Sequence, residues 1–259
     1  MTAGGYYRGF VTDAAGAAGG TAGGDHGGQS DDGAEIVWTV VVGGGGGTRF
    51  GGRKQFAELG GQRVIDVAAG VARDCSSGVV VVVPADDAGR AGHGAVAGGS
   101  TRTASVRNGL AAVPAAATIV CVHDAARPLA SPALFAAVVA AVRDGADAAV
   151  PGVPVTDTIK VIDAHRRVLD TPARSSLVAV QTPQAFRASV LRRAHECGGE
   201  GTDDAALVEG IGGTVVVVPG EAWNSKITEP TDLERSRRWL ADHPGVLPSA
   251  VNADEGGRR

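Results

Sequence analysis

The run Ile36-Val37-Trp38-Thr39-Val40-Val41-Val42 passes without a break into Gly43-Gly44-Gly45-Gly46-Gly47-Thr48-Arg49-Phe50-Gly51-Gly52-Arg53-Lys54. A β-branched stretch with no apolar/polar alternation reads as a strand covered on both faces, as in parallel sheets. Comparable runs recur at residues 79–84, 118–123, 148–150 and 214–218. Between them, residues 64–74, 103–112, 132–144, 187–197, 203–209 and 231–241 carry helical spacing, several behind a Ser, Thr or Asp suited to capping. Strand then helix, repeated, predicts an α/β fold, a mostly parallel sheet between two helical layers. The pattern breaks once. Residues 153–179 are polar and proline-punctuated, with apolar positions at Thr158-Ile159-Lys160-Val161-Ile162 and Val168-Leu169, which predicts an extended hairpin projecting from the body.

Outward from that core, 11 of the 40 glycines fall in residues 1–33, among Ala, Asp, Ser and Thr. Such a composition does not repay the entropy of ordering, so residues 1–33 are expected to be a disordered leader. Residues 35–244 are then the folded domain, with an arm at about 153–179, and residues 245–259 a flexible tail. The 24 Lys+Arg against 28 Asp+Glu give a net charge of −4, which lacks the basic field needed for phosphate-backbone binding. Nucleic acid is therefore not an expected partner. No apolar run approaches the ~20 residues needed to span a bilayer, so no membrane is expected either. The start lacks the basic-then-apolar pattern of a secretion signal, and Cys75, Cys121 and Cys197 match no zinc spacing. Reduced thiols in a cytoplasmic protein are the expectation.

Ligands in open parallel sheets sit beyond the carboxyl ends of the strands, so the segments that follow the strands are where the chemistry is expected. The glycine run after the first strand lets backbone amides approach a ligand closely, and Arg49 and Lys54 add cations, a combination suited to polyphosphate; a merely flexible loop is the alternative. No Gly-Lys-Ser/Thr follows, which excludes a P-loop. A dinucleotide fingerprint is weakened because no helix starts directly after the glycines and Asp66 falls inside a helix. After the middle strand stands His123-Asp124-Ala125-Ala126-Arg127-Pro128. A buried carboxylate at a strand tip needs a partner: Mg²⁺ bridging to triphosphate oxygens, an ion pair from Asp124 to Arg127, or a cap for the next helix. His123 is either a base or a hydrogen-bonded structural residue. Gly98-Gly99-Ser100-Thr101-Arg102-Thr103-Ala104-Ser105 feeds a helix whose amides and hydroxyls would suit a base edge or a phosphate, or simply a cap. Lys226, just past the last valine strand, is either a ligand or a surface lysine.

In this order the segments resemble the 2-C-methyl-D-erythritol 4-phosphate cytidylyltransferase family. The marks are HDAARP at 123–128, G-G-x-x-R-x-x-S-V at 98–106, T-P-Q-x-F at 182–186, T-D-[DE]-A at 202–205 and N-x-K-[IV]-T at 224–228. The resemblance implies a three-layer Rossmann-like nucleotidyltransferase fold whose arm forms a homodimer. It implies that Arg49, Lys54 and Lys226 bind the triphosphate and stabilise the transition state. CTP would be held by Gly44, Gly45, Gly47, Gly99, Ser105, Asp124 and Ala125, with Asp124 also the Mg²⁺ ligand. Thr158, Arg174, Thr182, Thr202 and Asp203 would surround the polyol phosphate, Thr158 and Arg174 lying on the arm.

The family pattern has Ala and Pro where Gly43 and Arg53 stand, so the loop is expected to be looser, one charge more positive and slower in turnover. Ser100 replaces an acidic residue and Ser225 an apolar one, departures that bear on nucleotide affinity. The implied reaction moves a cytidylyl group from CTP to 2-C-methyl-D-erythritol 4-phosphate with release of pyrophosphate. Two alternatives stand beside it: a cytidylyltransferase for another polyol phosphate such as ribitol 5-phosphate, and a non-catalytic nucleotide-binding protein. No fused second enzyme is expected, since the chain ends soon after the transferase-like region.

Overall fold

The computed structural model describes residues 35–45, 47–91 and 94–247. The expected leader and residues 248–259 of the expected tail lie outside the described residues. The strands are β1 (Val37–Val42), β2 (Glu58–Leu59), β3 (Gln62–Arg63), β4 (Gly78–Val83), β5 (Val96–Ala97), β6 (Ile119–Asp124) and β7 (Ala148–Pro154). They continue as β8 (Val161–Ile162), β9 (Val168–Asp170), β10 (Val178–Val180), β11 (Gln184–Arg187) and β12 (Val215–Pro219). The helices are α1 (Val64–Asp74), α2 (Ala88–Ala91), α3 (Arg102–Ala111), α4 (Pro132–Arg143), α5 (Ala188–Glu196), α6 (Asp204–Gly210) and α7 (Pro230–Asp242).

β1, β4, β5 and β6 run parallel, with β1 between β4 and β6. Beyond β6 the sheet continues through the antiparallel β11 to β7, and β12 pairs with β7 in parallel. The predicted alternation thus holds, with β5 and β11 added to the sheet. Gln184–Arg187 forms a strand inserted between β6 and β7, so Arg187, expected to open the helix over 187–197, ends β11 and α5 starts at Ala188. The valine runs are explained by cover on both faces. One face packs Ile65, Ala68, Phe135 and Val138 of α1 and α4 against Val41 and Cys121, the other packs Val106, Leu110, Leu191 and Val208 of α3, α5 and α6 against Val40 and Val122. Burying an apolar side chain of this size stabilises by about 1.5–3 kcal/mol.

Helix starts are fixed by their caps. Thr101 Oγ1 accepts from the Ala104 amide at 3.0 Å, and Ser131 Oγ from that of Leu134 at 3.1 Å, with Pro132 opening α4. The amides of Thr228 and Glu229 both donate to Asp232 Oδ2 at 2.9 Å ahead of α7. A third apolar cluster of Leu59, Val64, Leu129, Ile227 and Leu233 seats α7, and Leu247 packs on it, so the body reaches past the expected boundary at 244.

The projecting segment is rooted in the sheet at both ends: Val153 and Pro154 belong to β7, and Val178–Val180 returns as β10 alongside it. Its tip is the β8–β9 hairpin, where Val161, Ile162, Val168 and Leu169 are exposed, Leu169 by 66%.

Candidate functional site

Strand order reverses at β1, and the site lies there. Val42 pairs with Asp124 at the carboxyl ends of β1 and β6. The glycine loop therefore leaves β1 beside the Asp124 carboxylate. A cleft of about 270 Å³ opens between Gly43–Gly45, Lys54, Gly99–Arg102, Ser105, Asp124–Ala126 and Lys226. Gly44 approaches α3 so closely that an added Cβ would stand 2.9 Å from Ser105 Oγ. Gly47 does not line the cleft. With φ of 69° it turns the loop, its carbonyl accepting from the amides of Phe50 (3.0 Å) and Gly52 (3.3 Å), and a Cβ there would meet the Gly52 carbonyl at 1.8 Å.

Asp124 is the centre of charge. Its Oδ2 accepts from Lys226 Nζ at 2.6 Å, and its Oδ1 is 3.4 Å from Arg102 Nη2. Burial raises the carboxyl pKa, but Lys226 and Arg102 outweigh it and hold the group at about 2, so it is ionised throughout the neutral range. The alternative of an ion pair with Arg127 is not what forms: its guanidinium donates to the backbone carbonyls of Asn224 (2.7 Å) and Val180 (3.3 Å). Those carbonyls converge on it from two other segments, and Asp124 already has two closer cations.

Lys226 is delivered by the packing around it. Ile227 is fully buried and its amide donates to Ala126 O at 2.8 Å, while the buried Asn224 donates through Nδ2 to Thr182 O at 2.9 Å. Opposite, Lys54 Nζ donates to Ile227 O at 2.8 Å. Burial, then the positive charges of Lys226 and Arg49, push the Lys54 ammonium below its usual range, against the pull of Asp124 and Asp232. Three cations therefore share one field, although Arg49 is exposed on the loop and does not line the cleft.

The remaining residues fall into three groups. Gly45, Gly99, Ser105 and Ala125 line the cleft, the Ser105 hydroxyl donating to Thr101 O at 2.8 Å and accepting from the Gly99 amide at 3.1 Å. Thr182 and Asp203 do not line it. Thr182 Oγ1 accepts from the Asp124 amide at 3.0 Å and lies 3.1 Å from His123 Nδ1; Asp203 caps α6 and accepts from Gln184 Nε2 at 2.9 Å. Thr158 and Arg174 are exposed on the arm, and Thr202 is exposed before α6. Arg174 Nη1 donates to Thr156 O of its own chain at 2.5 Å.

Two sequence questions resolve here. His123 is fully buried, and burial pushes its pKa down to about 4, so it is neutral and bound to Thr182 rather than presented to the cleft. The structural alternative for His123 is the one observed. Arg102 was quoted as part of a motif but given no role. It lines the cleft and bridges Asp124 to Asp204, its Nη1 2.7 Å from Asp204 Oδ2, and Asp204 in turn meets His195 Nε2 at 3.0 Å. Gln55, also overlooked, is buried against the loop with Nε2 3.5 Å from Gly45 O. No local pattern signals either contact, because the partners are distant in sequence or lie on a glycine backbone.

Among the described residues no group of three or more His, Cys, Asp or Glu side chains is placed to hold a metal. Asp124 alone, ionised and beside the cleft, fits a Mg²⁺ carried in on phosphates, since that ion takes one or two carboxylates and fills its shell with phosphate and water.

Residues 37–242 match the family described as 2-C-methyl-D-erythritol 4-phosphate cytidylyltransferase. A bifunctional enzyme IspD/IspF of Anaeromyxobacter dehalogenans is 47% identical over 211 residues, covering 74% of this chain and 54% of that protein. The chain thus spans about half the length of this bifunctional relative. A 2-C-methyl-D-erythritol 4-phosphate cytidylyltransferase of Rhodococcus opacus is 47% identical over 193 residues, covering 71% of this chain and 85% of that protein. The crystal structure of 2-C-methyl-D-erythritol 4-phosphate cytidylyltransferase from Thermus thermophilus superposes with a TM-score of 0.67 at 35% identity, covering 78% of this chain and 98% of that one.

Proposed function

The chain belongs to the 2-C-methyl-D-erythritol 4-phosphate cytidylyltransferase family, and from that premise we propose that it transfers the cytidylyl group of CTP to 2-C-methyl-D-erythritol 4-phosphate. The observation that carries this reading is the convergence of Lys54, Lys226, Asp124 and the loop glycines on one cleft. A phosphomonoester has its second pKa near 6 and is mostly a dianion at pH 7, so it attacks the α-phosphorus without a general base. The new bond joins a substrate phosphate oxygen to the α-phosphorus; the bond to the β-phosphate oxygen breaks, and pyrophosphate leaves. A buried, neutral His123 is consistent with chemistry that asks nothing of it.

What the step needs is positioning and positive charge. Lys54 and Lys226 face the triphosphate, Arg49 adds to their field, and the amides of Gly44 and Gly45 approach the phosphates while Gly47 shapes the turn. Gly99, Ser105 and Ala125 would meet the cytidine, with Thr182 and Asp203 holding the strand end and helix behind. Asp124 would hold Mg²⁺, which when bound would neutralise phosphate charge, with Lys226 and Arg102 beside it. Asp124→Asn removes the one anionic ligand, so the Mg²⁺ concentration for half-maximal rate should rise. An unchanged metal titration would leave Asp124 with its ion pairs as its whole role.

The exposed apolar tip of the arm suits a second copy of the chain, forming a homodimer. In that dimer Thr158 and Arg174 of the partner subunit would reach the polyol phosphate beside Thr202. Among the described residues no helix is long and apolar enough to cross a membrane, and the three cysteines are free, which suits the cytoplasm. Pyrophosphate release with CTP and a panel of polyol phosphates, ribitol 5-phosphate included, tests the reading. Turnover specific to 2-C-methyl-D-erythritol 4-phosphate supports it, and no turnover with any of them refutes it.

A further inference from the structure

The glycine loop carries a cation that the cleft does not use. Arg53 stands next to Lys54 but is not among the cleft residues; its guanidinium pairs with the carboxylate of Asp87. Asp87 is 3% exposed, at the end of the short turn Ala85–Asp87 that follows β4, and its amide donates to Pro84 O at 2.8 Å. The extra positive charge expected of the loop is thus neutralised at the sheet edge, outside the cleft.

The consequence is positional. Gly43 is tied to β4 through its amide and Val82 O at 2.7 Å, but the bonds that the Phe50 and Gly52 amides donate to Gly47 O, and the Lys54 amide to Gly52 O at 2.9 Å, close the loop on itself. A backbone so rich in glycine loses much entropy when fixed. Lys54 has its own anchor at Ile227 O, but that anchor uses the ammonium that phosphates would draw away.

We propose that Arg53 is a positioning residue, its ion pair with Asp87 seating the glycine loop on the end of β4 and so holding Lys54 at the phosphate site. The kinetic consequences rest on the proposed cytidylyl transfer; the effect on the loop does not. An exposed pair would contribute little, but here one partner is buried and screening is weaker.

The test compares the whole chain with Arg53→Ala, Arg53→Lys, Asp87→Asn and the Arg53→Ala/Asp87→Asn double variant. Hydrogen exchange of peptides covering residues 44–54 is measured without ligand, and kcat and KM for CTP are measured separately. Arg53→Ala should speed exchange in that segment and lower kcat about tenfold, since a misplacement near 1 Å costs up to about a hundredfold. KM for CTP should change by less than about threefold, because the loss falls in the transition state. Arg53→Lys should recover most of both, and the double variant should be no worse than Arg53→Ala. Unchanged loop exchange in Arg53→Ala, or losses that multiply in the double variant, would overturn the proposal. If the wild-type chain turned over no substrate, the transfer reading would fail while the exchange result still decided the latch.

Discussion

Lys54→Ala is expected to lower kcat about a hundredfold while leaving the melting temperature nearly unchanged. One donor aimed at developing phosphate charge is typically worth about 3 kcal/mol in the transition state, and 1.36 kcal/mol is a factor of ten. Removing Lys54 takes away such a donor without touching an apolar cluster, since its ammonium faces the cleft and donates to Ile227 O. Lys226→Ala should behave alike in rate, for the same reason. Its stability cost is limited because Asp124 keeps Arg102 as a partner. Arg49→Ala, whose side chain acts from outside the cleft wall, should also fall by about two orders of magnitude if its guanidinium swings onto the triphosphate. Steady-state kinetics beside thermal melts check all three. A variant that unfolds instead of slowing would place its side chain in the fold and not at the phosphates.

Mixing two inactive variants should restore activity. If the arm of one subunit brings Arg174 to the site of the other, Lys54 and Arg174 of any one site come from different chains. Lys54→Ala and Arg174→Ala homodimers are then each nearly inactive. After exchange, a mixed dimer has one site with both defects and one with neither. With random exchange half the dimers are mixed, so about a quarter of wild-type activity should return. Within its own chain the Arg174 guanidinium donates to Thr156 O, out on the arm. Exchange confirmed by mass with no recovery would make Arg174 a same-chain or surface residue.

Much of the fold was legible because its strongest determinants are local. Val64–Asp74 is apolar where α1 faces the sheet, and Ser131-Pro132 marks the start of α4 in two residues. Apolar runs announced β1, β4 and β6, and also β12, although Val217 there is 54% exposed. Gln184–Arg187 was not legible as a strand, because four residues next to Pro183 carry too little alternation and are held by neighbours on both sides. β5 is shorter still, two residues at the sheet edge.

The site divides along the same line. Asp124 and Gly43–Gly45, which line the cleft, stand out in the sequence because strand-end position is itself a signal. Which cation meets Asp124 was not: Arg127 is three residues away in sequence, whereas the partners that win, Arg102 and Lys226, are 22 and 102 residues away. Thr182 stood out through its motif, whereas the bond from the Asp124 amide to Thr182 Oγ1, where β11 meets β6, shows only in the fold. Arg53 was read as added charge, and only the position of Asp87 across the loop turns it into a clamp.

The most direct measurement is the identity and stoichiometry of the products by phosphorus NMR, with CTP, 2-C-methyl-D-erythritol 4-phosphate and Mg²⁺. Group transfer within the cleft predicts one inorganic pyrophosphate for each new cytidine-bearing diphosphate, with CTP stable when the polyol phosphate is left out. Release of CMP with no mixed diphosphate would show water, and not the substrate phosphate, attacking the α-phosphorus, and would contradict the transfer mechanism.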